Sequence, residues 1–337
     1  MQERLIFLIG SPRSGSTLLA RMLGAHPDVF APAEPHLLTP LANLGFYETV
    51  ERASYDPIIS QDAIRELVAR LPGGEADYLE ALRAYTDRLY TGLLAPSGRS
   101  HLLDKTPAYA LVLDFVARLY PNARYLVLTR HPLAIWTSYV ESFFDGDFES
   151  AHRFNPILER YVPAIARFLR ERKVPLHPVR YEELVSDPAE QGQRLCGFLG
   201  LAWEPRMVEY GSEAAASSPT SRGLGDPITV ARETRPTTKS LAKWTQDLAG
   251  RPARIAQAER ILASLLDEDL AAWGYSRSAI EAELAAIDPQ APHRRAASLT
   301  RYRLERKLLV RLRRNLHQNA FGRLVRRIRR VCDVLLR

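Results

Sequence analysis

Two kinds of apolar spacing alternate along the chain. Leu5-Ile-Phe-Leu-Ile9 is an unbroken apolar run of strand length. A strand without polar alternation has both faces covered, which fits a parallel sheet between layers of helices. From Ser16 to Leu23 the spacing changes, and Leu18, Leu19, Met22 and Leu23 fall on one side of a helix. Strand, glycine-containing loop and helix make the first half of a βα unit. Leu102-Leu103, Tyr125–Thr129 and His177–Tyr181 are further predicted strands. Helical spacing predicts Ser60–Leu71, Glu75–Leu94, Ala108–Leu119, Pro132–Phe144, Pro156–Glu171 and Asp187–Gly200, then Arg254–Trp273 and Ser278–Ala286. Residues 30–55 are proline-rich and expected to be loop, as is Ser212–Lys239, which is rich in Ser, Gly, Pro and Thr. Alternating strands and helices predict an α/β fold, a doubly wound parallel sheet flanked by helices.

Composition adds a boundary. The 337 residues suffice for one large α/β domain with an appendage. The net charge of +7 divides unevenly: Arg294 to Arg337 carries 15 Lys/Arg against two acids, +13, and the rest is −6. Residues 1–288 are therefore read as the α/β domain and 289–337 as a basic helical extension, joined at Pro289-Gln-Ala-Pro292. A mildly acidic body argues against nucleic-acid binding. Two cysteines, Cys196 and Cys332, are too few for a disulfide framework, so a reducing cytoplasm is expected. No secretory leader is expected, because Met-Gln-Glu-Arg runs straight into the first strand, and no apolar stretch approaches the ~20 residues that span a bilayer.

The strongest chemical signal follows the first strand. Gly10 and Gly15 stand five apart, with Ser16 and Thr17 after them. That is phosphate-loop spacing, with Ser16 where a nucleotide triphosphatase carries lysine. Glycines let the backbone aim N–H groups into a hollow, and the helix starting at Ser16 adds its positive end. The missing lysine argues against hydrolysis of ATP or GTP. Arg13 supplies a cation from inside the loop.

Pro12-Arg-Ser-Gly-Ser-Thr17 resembles the 5′-phosphosulfate loop of sulfotransferases that use 3′-phosphoadenosine-5′-phosphosulfate (PAPS), whose fold is P-loop-kinase-like. Their second signature is a strand ending in arginine with a serine eight residues on, and Arg130 and Ser138 stand in that relation. The chain is similar to tyrosylprotein sulfotransferases at Ala25-His-Pro-Asp28, Glu34, Tyr181-Glu-Glu-Leu184, Phe198-Leu-Gly200 and Lys243-Trp244. It also resembles the sulfotransferase domains of olefin-forming polyketide synthases at Glu34–Leu38, Asp104–Pro107 and Gly225–Pro227. The resemblance implies a sulfuryl transfer from PAPS to a hydroxyl, with adenosine 3′,5′-bisphosphate (PAP) as product. It implies nucleotide contacts from Pro12, Arg13, Ser14, Gly15, Ser16, Thr17, Arg130, Ser138, Tyr181 and Lys243. For Tyr181 and Lys243, a packed strand tyrosine and a surface lysine are equally open readings.

Such a transfer demands in-line geometry and neutralisation of charge on the leaving phosphate. By resemblance Arg13 and Lys105 serve the second need, with no metal; the sequence has no His/Asp/Glu cluster of metal-ligand spacing. The acceptor hydroxyl needs a base. Glu34 matches the catalytic glutamate of the tyrosylprotein enzymes, and His36 is its rival, since imidazole titrates near neutrality. Glu34 is the preferred reading. Ser217, Ser218, Thr220 and Ser221 lie in the long loop and receive no role.

In the extension, Leu304, Leu308, Leu312 and Leu316 repeat every four residues, and Phe321, Leu324, Val325, Ile328, Val331 and Leu335 continue beyond Gly322. These predict two basic amphipathic helices. They fit a layer packed on the acidic body or on a second subunit of a homodimer. They also fit an anionic membrane surface or an acidic carrier protein, which would place a cytoplasmic protein peripherally at the membrane. Two other functions stay open at this point: a P-loop nucleotide kinase, and a non-catalytic nucleotide-binding or membrane-docking protein. The acceptor is not named by the sequence.

Overall fold

A computed structural model describes residues 1–48, 57–212 and 234–292. Its centre is a sheet of five parallel strands in the order β2-β3-β1-β4-β5. The strands are β1 Leu5–Gly10, β2 Val29–Phe30, β3 His101–Asp104, β4 Arg124–Thr129 and β5 Leu176–Arg180. Every residue of β1 is buried, which is why its sequence shows no alternation. Its side chains still alternate in space. Leu5, Phe7 and Ile9 enter one apolar layer with Tyr90, Tyr125 and Trp136, while Ile6 and Leu8 enter the other with Leu19, Met22 and Leu195. Covering helices on both faces make this the doubly wound α/β arrangement expected from the sequence.

The strand order has a functional consequence. The chain leaves β1 towards β2 and β3 on one side, then crosses to β4 and β5 on the other. The carboxyl ends of β1 and β4, which pair directly from Ile6↔Arg124 to Gly10↔Leu128, therefore flank a topological switch point. In open α/β sheets, that crevice is where ligands bind.

The helices are α1 Ser16–Gly24, α2 Leu38–Ala42, α3 Pro57–Ala69, α4 Glu75–Leu94, α5 Leu113–Leu119, α6 Pro132–Phe144 and α7 Phe148–Phe154. There follow α8 Ile157–Glu171, α9 Tyr181–Ser186, α10 Pro188–Leu199, α11 Lys243–Leu248, α12 Pro252–Ser264, α13 Asp267–Trp273 and α14 Arg277–Ala285. Several expectations change. Ala108–Leu119 is not one helix: a 3₁₀ turn over Pro107–Leu111 gives way to α5 at Val112, whose backbone is non-helical. Arg254–Trp273 divides at Leu265 and Leu266, both extended, and the acids Asp267, Glu268 and Asp269 open α13. The loop expected over residues 30–55 contains α2, and α7 is additional. Tyr181 begins α9 rather than ending β5. None of the helices among the described residues is long and apolar enough to cross a membrane. Gly225–Pro227, the four hydroxyl residues of the long loop and residues 293–337 of the basic extension lie outside the described residues.

Candidate active site

The loop after β1 has an unusual backbone for a physical reason. Arg13 has φ 71° and Gly15 φ 99°, so two left-handed residues turn the chain sharply between strand and helix. A side chain at Gly15 would be strained there, and its Cβ would lie 2.3 Å from the Tyr181 ring. Only glycine lets α1 start against that ring. Gly15→Ala is expected to destabilise the fold by about 2 kcal/mol, from backbone strain and steric overlap. An unchanged denaturation midpoint would contradict this packing.

The two motifs distant in sequence meet. Arg13 Nε donates to Ser138 Oγ at 3.0 Å, across 125 residues of chain. One Arg130 terminal nitrogen donates to the carbonyl of Arg13 at 3.1 Å, and the other reaches the carbonyl of Ser240 at 3.4 Å. The Arg130 guanidinium lies 4.3 Å from the centre of the Tyr181 ring, and Tyr181 is held in turn by a 2.7 Å hydrogen bond between its hydroxyl and Ser240. Arg130 is 8 % exposed, and its Nε has no hydrogen-bond partner among the described residues. Among the described residues no carboxylate forms an ion pair with it, and burial lowers its pKa. Its direct partners among the described residues are carbonyls and a ring, and the charge of Glu182, which favours the guanidinium, is opposed by that of Arg13. An anion in the adjoining cavity would complete the surroundings of Arg130.

That cavity has a volume of about 370 Å³. Arg13, Gly15, Ser16 and Thr17 line it from the loop, Arg130 and Ser138 from the end of β4 and α6, and Tyr181 and Lys243 from α9 and α11. Eight of the ten residues expected at a nucleotide therefore share one wall system. Pro12 and Ser14 do not line it; Ser14 is fully buried, and its hydroxyl lacks a partner among the described residues. Arg21, Thr137, Lys239 and Ser240 also line the cavity and were not foreseen. Arg21 lies one helical turn beyond Thr17, a spacing that could have signalled it.

Behind the cavity the turn from β4 into α6 is pinned. Trp273 Nε1 donates to the Arg130 carbonyl at 2.8 Å, and Glu182 accepts from the His131 backbone N–H at 2.9 Å. The His131 ring stacks on Trp244, with centroids 4.5 Å apart. Burial, aided by the charge of Arg130, pushes His131 down to about 4. Its imidazole is thus neutral near pH 7, and its 3.5 Å approach to Glu283 is not an ion pair there. Trp244 is 4 % exposed and also lines the cavity.

Glu34, His36 and Lys105 form a second cluster at the carboxyl end of β3, outside the lining of this cavity. Lys105 donates to Glu34 Oε1, and His36 Nε2 lies 3.2 Å from Glu34 Oε2. The two rival bases are therefore hydrogen-bonded partners. The side chains of Glu34 and Lys105 are 12 % and 9 % exposed, whereas that of His36 is 44 % exposed. No group of three or more metal-ligating side chains occurs among the described residues.

Residues 5–205 match the model of the sulfotransferase family. The chain is 34% identical over 227 residues to nodulation protein NoeE of Sinorhizobium fredii, covering 60% of this chain and 51% of that protein. It is 27% identical over 213 residues to a putative protein-tyrosine sulfotransferase of Caenorhabditis briggsae, covering 62% and 69%. It thus spans only about half the length of NoeE. Among solved structures it is similar to the sulfotransferase domain from the Synechococcus PCC 7002 olefin synthase, at 25% identity and TM-score 0.48 over 71% of this chain and 86% of that one. It is also similar to the sulfotransferase domain from the curacin biosynthetic pathway, at 24% identity and TM-score 0.47 over 77% and 95%. With the family's model matched over the whole span from β1 to the end of α10, this chain belongs to the sulfotransferase family.

Proposed function

We propose that the chain transfers a sulfuryl group from PAPS to a hydroxyl-bearing acceptor. The observation that carries this reading is the junction of the glycine loop with Arg130 and Ser138 in one cavity. Two anion positions so close suit a nucleotide phosphorylated at both 3′ and 5′ positions, and the incomplete guanidinium of Arg130 fits one of those phosphates. Arg13 and the N–H groups opening α1 suit the 5′ side. Tyr181 and Lys243 complete the walls.

PAPS would supply an activated sulfuryl group joined to a phosphate leaving group. The chain's own work is positional and electrostatic. Arg13 and Lys105 would neutralise charge growing on the leaving oxygen. Glu34 would accept the proton of the acceptor hydroxyl. Its carboxylate lies between Lys105, which keeps it oriented, and His36, whose exposed ring can pass the proton to water. The acceptor class stays open among alcohols, phenols, acyl-chain hydroxyls, glycans and tyrosyl peptides.

The test is an acceptor screen with purified protein and isotopically labelled PAPS, read by mass spectrometry. Label on an acceptor hydroxyl with stoichiometric PAP is the expected result. Binding of PAP without transfer to any hydroxyl class would reduce the chain to a nucleotide binder.

A further inference from the structure

We propose that Asp104 is a positioning residue for the Glu34–His36 pair, acting through the hydroxyls of Thr106 and Tyr109. This rests on the reading of that pair as the proton-accepting group. Asp104 ends β3 and is fully buried. Its Oδ2 accepts from the Tyr90 hydroxyl at 2.7 Å and the Tyr109 hydroxyl at 3.0 Å, and its Oδ1 from the Thr106 hydroxyl at 2.9 Å. A carboxylate can only accept, so all three hydroxyl protons point at it. That fixes which way the hydroxyl lone pairs face. Those of Tyr109 receive the backbone N–H of Leu38 at 3.1 Å, and those of Thr106 the backbone N–H of His36 at 3.4 Å.

The two N–H groups belong to the strap that carries Glu34 and His36. The strap needs holding, because His36 sits at φ 51°, in the left-handed region that a side chain disfavours. Asp104 is also the chain neighbour of Lys105, which pairs with Glu34. One buried carboxylate therefore anchors the strap at two backbone points and carries the cation that grips its glutamate.

Stability alone does not account for this carboxylate. Burial raises its pKa to about 6, against the opposing effect of its three hydroxyl donors. A raised carboxylate pKa means that the ionised form costs stability at neutral pH, and that the cost fades as pH falls from about 6 towards 3.8. A neutral residue would relieve that cost but would no longer orient three hydroxyls at once.

Asp104 variants could simply fail to fold, so the test works through the relays in the full chain. Thr106→Val and Tyr109→Phe are made singly, and each is combined with Glu34→Gln and with His36→Gln. For each relay variant alone, kcat should fall between about 10- and 100-fold, with PAP affinity by calorimetry within about twofold, as Glu34 and His36 lie outside the nucleotide cavity. Thr106→Ser, which keeps the hydroxyl, should recover kcat. In the Glu34→Gln background the relay variants should cost nothing more, because they act through the strap. Full kcat in both relay variants would overturn the proposal, as would an equal loss in every background. If Glu34→Gln itself keeps turnover, the base reading fails separately, and the His36→Gln cycle decides the positioning role by the same criterion.

Discussion

Replacing Glu34 by glutamine is expected to cut turnover between about 10²- and 10⁴-fold, the range a positioned base contributes. Glutamine keeps the shape of the side chain and a partner for Lys105, but it cannot take a proton. PAP affinity should stay within a few-fold, because Glu34 does not line the cavity of Arg13 and Arg130 in which the nucleotide is proposed to bind. His36→Gln provides the contrast. If Glu34 is the primary base and His36 its exit to water, the histidine variant should lose less, since the ring is partly exposed and water can replace it. A larger loss in His36→Gln than in Glu34→Gln would reverse the assignment. Normal turnover in Glu34→Gln would remove the glutamate from the mechanism. Initial rates and isothermal calorimetry on the same preparations separate these outcomes.

Arg130→Ala is expected to weaken PAP binding by about 10²-fold or more. Charge-assisted hydrogen bonds contribute roughly 1.5–3 kcal/mol each, and a guanidinium offers two to a phosphate. The informative measurement compares PAP with adenosine 5′-monophosphate. The native chain should prefer the bisphosphate strongly, and the variant should lose most of that preference while keeping its affinity for the monophosphate within a few-fold. Arg130→Lys should recover only part of the loss, because an ammonium cannot stack on Tyr181 and reach the Arg13 carbonyl at once. If the variant still discriminates as the native chain does, the 3′-phosphate lies elsewhere. The melting temperature should be followed in parallel, since Arg130 also packs on Tyr181.

Much of the site was legible where local chemistry decides structure. β1, its loop and α1 follow from an unbroken apolar run, two glycines and helical leucines, and the predicted α4 boundaries at Glu75 and Leu94 agree with the fold. The strand before Arg130 and the helix that carries Ser138 follow from the apolar pattern and Pro132, whereas the pairing of the two residues comes from the resemblance to the family's second signature. What escaped depended on longer-range forces. Tyr181 was expected at the site by resemblance, but its placement was not: it looks like the last residue of a strand, its six-residue helix is too short to show periodicity, and only the fold turns its ring towards Gly15 and Arg130. Arg21, Lys239 and Ser240 become lining residues because three separate segments converge. The hydrogen bond between Glu34 and His36 requires His36 to adopt a backbone that local preference disfavours. The role of Asp104 was hidden for the same reason, since its partners Tyr90 and Tyr109 come from outside its own strand.

The bond from Arg130 to the carbonyl of Arg13 joins two places that a list of contacts would treat separately. The guanidinium at the end of β4 also fixes the left-handed residue of the glycine loop. On the function proposed above, the two ends of the cavity would act as one bivalent clamp with a preset span. A ligand that engages one end presents its second charge to the other at an effective concentration set by that span. Discrimination against the abundant nucleotides that carry phosphate at one end only would then arise from distance between charges, and modest contacts at each end would suffice.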